Sequence, residues 1–147
     1  MDRDKPFGYS LALIDGDIAF DNGTLRIVEG KRNLLQALEL RVLTPFDSDP
    51  FNTTYGLDVK DAFTLPGNIR MVKELLKLSL VRSLATDPRV RDIREVLFED
   101  DPSYLAQHPQ ITAEMVQADR RSRFWHVDVV IETIDGQTAS LSLNIGV

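Results

Sequence analysis

Acidic and amide side chains crowd into residues 13–30, LIDGDIAFDNGTLRIVEG, and their oxygens could bind calcium. They are Asp15, Asp17, Asp21 and Asn22. A calcium loop of the EF-hand type needs oxygen ligands at positions 1, 3 and 5, glycine at position 6 and glutamate at position 12. Counted from Asp15, positions 5, 6 and 12 hold alanine, phenylalanine and arginine. We therefore interpret the aspartates as turn residues that bond their own backbone, and we expect neither a metal ion nor a cofactor.

The chain contains few residues that could serve in nucleophilic catalysis. It contains two histidines, His108 and His126, and no cysteine. The lack of cysteine excludes disulfides, thiolate metal sites and cysteine nucleophiles. No serine lies in a G-x-S-x-G context, and two histidines without a clustered partner are weak metal ligands. We therefore predict that the protein is not an enzyme of these classes.

Glutamates are abundant enough to raise the question of glycoside hydrolysis, which needs two carboxylates on opposite sides of a sugar cleft. The candidates are Glu29, Glu39, Glu74, Glu95 and Glu99. Abundance alone does not make a site, and the chain has a single tryptophan, whereas sugar clefts usually use several aromatic platforms. We interpret each of these glutamates as a solvated surface charge.

The stretch TDPRV, residues 86–90, ends a long apolar helix and offers a different kind of site. Pro88 fixes the turn, Asp87 can bond locally, and Arg89 can project its planar donor fork away from the helix end. Such a fork suits carboxylates or exposed backbone carbonyls of another chain. The alternative, a turn that only stops the helix, stays open.

Length and charge limit the classes of protein that the chain can belong to. Its 147 residues correspond to about one domain, and its net charge of −6 argues against broad binding to nucleic acid or anionic membranes. Against that background the basic cluster Arg120, Arg121 and Arg123 is interpreted as a solvated patch. The chain lacks both a signal-peptide pattern and the roughly 20 apolar residues of a membrane span. We expect one domain at residues 1–147, in the cytoplasm, with residues 1–9 as a flexible or partner-docked arm.

Hydrophobic periodicity predicts the elements that must position these residues. Short apolar runs around the Asn22-Gly23 turn predict a small N-terminal β unit. Helical stripes follow in residues 31–44 and, with Pro66 as first helical residue, in residues 66–87. We predict a strand at residues 90–98 and a hairpin around Asp135-Gly136. The fold class is therefore α+β, with a small N-terminal β unit, two main helices and a C-terminal antiparallel strand plus β-hairpin. We find no internal repeat.

The two remaining segments bear on binding. Residues 99–123 contain two prolines and predict a short helix at residues 113–118. A two-stranded hairpin alone is marginal in water, so residues 90–98 or another chain must complete it. Its return strand, TASLSLNIGV, carries no lysine, proline or other residue that normally protects a sheet edge. Such an edge suits pairing with a strand of another chain.

Several motifs together resemble the baseplate-wedge, or sheath-initiator, proteins of contractile phage tails and related injection machines, a family once labelled lysozyme-like. They are GDIAFDNGTLRIVEGKRNLLQALELRVLTP at residues 16–45, YGLDV at residues 55–59, the helix that ends in DPRV, and the closing hairpin. Outside the resemblance lie the N-terminal arm and residues 99–123, which we interpret as a probable insertion. The family motif usually begins with glutamate, where this chain has Asp87. After Pro45, many relatives have a Gly-Glu-type step, where this chain has Phe-Asp-Ser.

The resemblance implies a non-enzymatic assembly protein. Asp87, Pro88 and Arg89 would dock on the helical core bundle made by two larger wedge proteins. The terminal hairpin would pair with extended arms of the first sheath ring. The residues assigned to this pairing are Val127, Val129, Ile131, Leu141, Leu143 and Ile145. The resemblance also implies several copies in a symmetric baseplate, with inner-tube or hub proteins as further candidate neighbours, and neither nucleic-acid binding nor membrane insertion.

Two alternatives to this assignment stay open. The first is a peptidoglycan hydrolase that acts in cell-wall penetration, with glutamates as acid and base. The second is a small adaptor that binds a cellular regulator through the same helix end at Asp87, Pro88 and Arg89. The first would clear a cell-wall suspension, and the second would bind its partner in cells that lack injection genes.

Overall fold

Three short two-stranded ribbons form the N-terminal part of the structure, a computed structural model that describes residues 5–146. A 3-10 turn at Lys5–Phe7 precedes them. The strands are β1 (Tyr9–Leu11), β2 (Leu13–Ile14), β3 (Asp17–Ile18), β4 (Phe20–Asp21), β5 (Thr24–Leu25) and β6 (Ile27–Glu29). β1 pairs with β6, β2 with β3, and β4 with β5, each time antiparallel. This is the small N-terminal β unit that the sequence predicts.

The three ribbons meet at a closed ring of backbone hydrogen bonds. The N–H of Ala12 donates to the carbonyl of Arg26, that of Arg26 to Ala19, and that of Ala19 to Ala12, each at 2.9 Å. The three residues are spaced by seven along the chain. The ring uses backbone groups that short strands would otherwise leave unpaired, and it holds the ribbons at one common centre.

The tips of the β2–β3 and β4–β5 ribbons are tight turns. Asp15 and Gly16 have φ of 52° and 81°, and Asn22 and Gly23 have φ of 48° and 81°. Positive φ at both central residues defines the type I′ turn, which matches the twist of the strands that it joins. The interpretation as turn formers is confirmed for Asp15 and Asn22, and Asp17 Oδ1 accepts a hydrogen bond from the neighbouring N–H of Ile18 at 2.8 Å. Asp21 instead lies in β4 and pairs with Arg26 at 3.8 Å. Residues 12–18 and 19–25 form two similar ribbons in succession, although their sequences share only the alanine and the glycine.

Three helices follow, of which the two long ones are those predicted. They are α1 (Gly30–Leu43), α2 (Lys60–Thr64) and α3 (Ile69–Leu84). α1 buries Leu34, Leu38 and Val42 at helical spacing. α3 does not begin at Pro66: its cap is Asn68, whose side chain accepts a hydrogen bond from the N–H of Met71 at 3.0 Å. The predicted start at Pro66 is wrong because the asparagine cap satisfies an N–H group of the first turn.

A three-stranded antiparallel sheet completes the fold, with two short helices between its first two strands. The elements are β7 (Val90–Phe98), α4 (Pro102–Gln107), α5 (Ala113–Arg121), β8 (Phe124–Thr133) and β9 (Thr138–Gly146), and the strand order is β7-β8-β9. The predicted strand at residues 90–98 and the terminal hairpin are confirmed. At the hairpin turn the N–H of Gly136, whose φ is 83°, donates to the carbonyl of Thr133. The α+β fold class is therefore correct.

The core lies between one face of this sheet and the two long helices, because the alternating residues of β8 and β9 place their apolar side chains on that face. α1 packs along β9, and α3 packs along β7. The second face of the sheet carries polar residues, and α5 lies beside β8. No helix among residues 5–146 has both the length and the apolar character that crossing a membrane would require.

The beginning of the described chain is fastened to the body of the protein. Phe7 is 1 % exposed and belongs to the core. The amide of Asn33 donates to the Phe7 carbonyl at 2.8 Å, and Gln36 bonds the backbone of both Leu11 and Leu13. Residues 1–4 of the predicted arm lie outside the described residues. At Phe7 the prediction of a flexible or partner-docked arm is wrong, since its ring is buried by this chain itself.

Candidate functional site

Strand β9 presents an open backbone edge. Among residues 5–146 it pairs with β8 alone. The N–H of Thr133 donates to the carbonyl of Gln137 at 2.8 Å, and antiparallel pairs alternate between bonded and non-bonded. The backbone groups of Thr138, Ser140, Ser142 and Asn144 therefore point away from β8. All four of these residues are exposed. Lys31 Nζ on α1 donates to the Thr138 carbonyl at 3.5 Å, so the accessible part of the edge runs from Ser140 to Asn144.

The opposite edge of the sheet is protected. The register between β7 and β8 shifts twice, between Val90 and Asp92 and between Ile93 and Glu95. Such bulges twist an edge and interrupt its ladder. The exposed charged side chains of Arg91, Asp92, Arg94 and Glu95 add a further obstacle. The register of β8 with β9, in contrast, continues without a shift over its whole length. The β7 edge is thus obstructed, and the β9 edge is open from Ser140 to Asn144.

The six residues assigned to strand pairing lie in the core of this chain. Their exposed fractions are between 0 % and 5 %, for Val127, Val129, Ile131, Leu141, Leu143 and Ile145. These side chains pack on the helices and offer no surface to a partner. A strand added at this edge would instead meet the backbone of β9 and the outward hydroxyls of Ser140 and Ser142.

The acid-Pro-Arg motif forms a compact ion pair at the end of α3. The guanidinium of Arg89 binds both carboxylate oxygens of Asp87, from Nε to Oδ1 at 2.9 Å and from Nη2 to Oδ2 at 2.7 Å. The N–H of Arg89 also donates to Asp87 Oδ1, at 3.0 Å. Asp87 is 5 % exposed, so the pair is largely enclosed, with Pro88 between its members.

Arg89 also reaches across the fold. Its Nη1 donates to the Phe7 carbonyl at 3.0 Å, so the guanidinium does not project away from the helix end, and that expectation is wrong. A buried carboxylate is costly unless it is paired, which is why the fork folds back on Asp87. Burial raises the pKa of Asp87, but the hydrogen bonds and charge of Arg89 outweigh it and leave the pKa below its ordinary value.

A second polar group lies on the outer face of the sheet, where Glu99, Asp119 and His126 come together. Glu99 follows the end of β7, Asp119 is on α5 and His126 is on β8. His126 Nε2 lies 3.1 Å from Asp119 Oδ2 and 3.9 Å from Glu99 Oε2. One ligand atom from each of the three residues lies within 4.8 Å of the others. We call these three residues the outer cluster.

Glu99 is the buried member of the outer cluster. Its exposed fraction is 1 %, and its Oε1 has no hydrogen-bond partner. Burial raises the pKa of Glu99, although the nearby charge of Arg120 and the N–H of His126 partly oppose the shift. Arg120 Nε lies 3.5 Å from Oε1, while its guanidinium carbon lies 3.1 Å from the centre of the Trp125 ring. The interpretation of Arg120 as part of a solvated patch is therefore wrong, although Arg121 and Arg123 are exposed.

His108 belongs to a separate polar chain on the same face. Its Nε2 lies 2.7 Å from Asp128 Oδ2, and Asp128 Oδ1 accepts a hydrogen bond from Ser142 Oγ at 2.8 Å. The ring of Tyr104 stacks on the imidazole with centroids 4.3 Å apart. The contacts among His108, Asp128 and Ser142 link the end of α4 to both strands of the hairpin.

Sequence reasoning missed the outer cluster. The polar position of His126 on its strand is readable from alternation, but its two neighbours come from the segment interpreted as an insertion. The remaining glutamates behave as expected: Glu29, Glu39, Glu74 and Glu95 are exposed. Only Glu99 among the five departs from the predicted solvated charge.

Comparison with known proteins neither supports nor contradicts the assignment to the baseplate-wedge proteins. The chain matches no model of a known protein family, and no curated protein matches its sequence. The likeness to the baseplate-wedge proteins therefore stays a prediction from the quoted motifs.

Proposed function

We propose that this protein is a structural component of the baseplate of a contractile injection machine, where it joins the wedge to the first sheath ring. The observation that carries the proposal is the open edge of β9 in a sheet whose other edge is closed. The motif resemblance supplies the identity of the neighbours. In this proposal several copies assemble in the cytoplasm into a symmetric baseplate, and the protein has no catalytic role.

Pairing at β9 would seed the sheath through backbone hydrogen bonds. An added strand gains the outward N–H and carbonyl groups of the edge, and these give affinity with little dependence on side chains. The outward side chains are small, namely Thr138, Ser140, Ser142 and Asn144, so they leave room for a partner strand. A strand buried on one face by α1 is also held in place before the partner arrives, which lowers the entropy cost of pairing.

The contact with the wedge would use the helix end at Asp87, Pro88 and Arg89. An arginine side chain has five N–H donors, and Arg89 uses Nε, one Nη1 and one Nη2 donor within this chain. One N–H on each terminal nitrogen remains for a backbone carbonyl of a wedge helix. The ion pair with Asp87 would hold the fork in a fixed orientation for that contact.

The decisive experiment replaces one outward N–H of β9 with a proline ring. In Ser140→Pro the lost N–H points away from β8, and proline is tolerated on a strand edge whose N–H faces outward. The matched control, Ser140→Ala, keeps the N–H and removes only the hydroxyl. Each variant complements a strain that lacks the gene, and electron microscopy counts sheathed particles.

We expect baseplates without sheath in Ser140→Pro and normal particles in Ser140→Ala. Circular dichroism and a melting curve of each purified variant establish that both are folded. Sheathed particles at the normal number in folded Ser140→Pro would refute the proposal that β9 pairs with the sheath.

A further inference from the structure

We propose that the outer cluster of Glu99, Asp119 and His126 binds one divalent transition-metal ion of the zinc type, which fastens α5 to the sheet. None of the three ligands belongs to the open edge of β9, although Asn144 of that edge contacts His126. It joins one residue from each of three elements that are far apart in the chain, and an ion there would act as a clamp on residues 99–123.

The distances fit such an ion. Zinc binds imidazole nitrogen and carboxylate oxygen at about 2.0–2.2 Å, in tetrahedral sites, so two ligand atoms of one ion lie roughly 3.3–3.6 Å apart. His126 Nε2 is 3.1 Å from Asp119 Oδ2 and 3.9 Å from Glu99 Oε2. Shifts of a few tenths of an ångström would bring both separations into that range. Histidine together with two carboxylates is a ligand set that zinc accepts and that calcium and magnesium, with their preference for oxygen, do not.

The orientation of the imidazole is compatible with a metal ligand. His126 Nδ1 contacts the side-chain oxygen Oδ1 of Asn144, and with the amide in this orientation Nδ1 carries the hydrogen. In the neutral ring the lone pair of Nε2 then faces the carboxylates of Asp119 and Glu99. Either a proton on Nε2 or a divalent cation among the three groups would stabilise this arrangement, and titration with zinc distinguishes the two. A second partner that fixes the histidine tautomer is the usual companion of a metal-binding histidine.

Glu99 gives an independent reason for a cation. Its carboxylate is 1 % exposed, Oε1 has no hydrogen-bond partner, and Oε2 is directed to the cluster. A buried carboxylate costs free energy unless a cation pairs with it. Arg120 approaches Oε1 at 3.5 Å, without a hydrogen bond, while Oε2 accepts a hydrogen bond from the N–H of His126 at 3.3 Å. Glu99 and Asp119 together carry two negative charges, so Arg120 alone does not balance them.

The three ligands leave a fourth tetrahedral position, which water or a side chain of another molecule would fill. The ion binds the folded chain and not the unfolded one, because its ligands come from three elements. Zinc is therefore expected to raise the melting temperature in proportion to the logarithm of its concentration above the dissociation constant.

Titration of the full chain with zinc alone tests the proposal. The protein is first freed of metal with a chelator, and isothermal titration calorimetry and melting curves follow at neutral pH. Variants that remove a ligand are Asp119→Asn, Glu99→Gln and His126→Ala, and Asn144→Ala removes the partner of Nδ1. The matched control is His108→Ala, which removes the other histidine of the same face.

We expect one zinc ion per chain and a raised melting temperature for the natural protein and for His108→Ala. Asn144→Ala should bind about 10–100-fold more weakly, and the three ligand variants should lose both signals. Asp119 is half-buried, so Asp119→Asn keeps the fold and is the deciding variant, whereas Glu99→Gln also removes the charge beside Arg120. The proposal is overturned if zinc does not bind the natural protein, or if folded Asp119→Asn binds it equally well.

Discussion

Arg89 and Phe7 are 82 residues apart in the chain, yet the guanidinium of Arg89 donates to the carbonyl of Phe7 at 3.0 Å. The same guanidinium holds the enclosed carboxylate of Asp87 with two further hydrogen bonds. The motif that resembles a docking element thus also connects the beginning of the described chain to the end of α3. Experiments must therefore distinguish the contribution of this motif to the stability of the fold from its proposed contact with the wedge.

Arg89→Ala should destabilise the protein by about 2–4 kcal/mol. The change leaves Asp87 buried without its partner and removes the bond to Phe7, while the partial exposure of Arg89, 24 % of its side chain, keeps the loss below that of a fully buried pair. Urea denaturation measures the free energy of unfolding. The control is Arg91→Ala, since Arg91 is 60 % exposed and pairs with Glu132 at 3.3 Å; it should lose less than about 1 kcal/mol. Equal losses would contradict the structural role of Arg89.

The pair of Asp87 and Arg89 should make stability depend on pH in the acidic range. The folded state holds the pKa of Asp87 below its ordinary value, which is about 3.9 in the unfolded chain. This contribution is therefore fully present above about pH 4 and is lost as the pH falls through the folded pKa. The free energy of unfolding, measured between neutral and strongly acidic pH, should fall less in Asp87→Asn than in the natural protein. An identical acid dependence in both would refute the assignment.

Gly56→Ala should be strongly destabilising, by about 2–4 kcal/mol. Gly56 has φ of 111°, and a Cβ atom there would lie 2.4 Å from the carbonyl oxygen of Thr44. Its own carbonyl accepts a hydrogen bond from Ser83 at 2.8 Å, so the loop cannot move away without losing that bond. Melting curves provide the measurement. Gly23→Ala is the matched control, because its φ is 81° and nothing lies within 4 Å of the added atom. It should lose about 1–2 kcal/mol, and a similar loss at both positions would show that the clash with Thr44 is unimportant.

Purified protein should not clear a suspension of cell-wall peptidoglycan. Glu99, whose burial raises its pKa, is 1 % exposed, and a sugar could not reach it without displacement of α5. Turbidity measured against a lysozyme standard tests this expectation. Clearing by the natural protein that Glu99→Gln abolishes would favour the hydrolase alternative instead.

Local patterns predicted much of this fold. Alternation along residues 90–98 and 124–146 requires one apolar face, so those strands and their buried side could be predicted without knowledge of the partners. The turn at Asn22-Gly23 was equally predictable, because few residues accept positive φ at two successive positions. The likeness of the ribbons at residues 12–18 and 19–25 could not be predicted, because only alanine and glycine recur at the same places in the two sequences.

The polar sites could not be predicted in the same way, because they depend on distances between elements that are remote in sequence. Arg89 could not be matched with Phe7 before the packing of the N-terminal turn was known. Glu99 and Asp119 meet His126 only because α5 returns to the outer face of the sheet. The spacing of Glu99, Asp119 and His126 in the sequence does not indicate that α5 packs on this face of the sheet.

The unequal edges of the sheet limit how copies of this protein can associate with one another. A chain with two open edges could stack head-to-tail without end, as in a fibril. Here bulges and charges close the β7 side, so two copies that met through β9 would form an isologous pair with no site left for a third. The protein can therefore expose an unpaired strand edge without forming open-ended aggregates through its sheet.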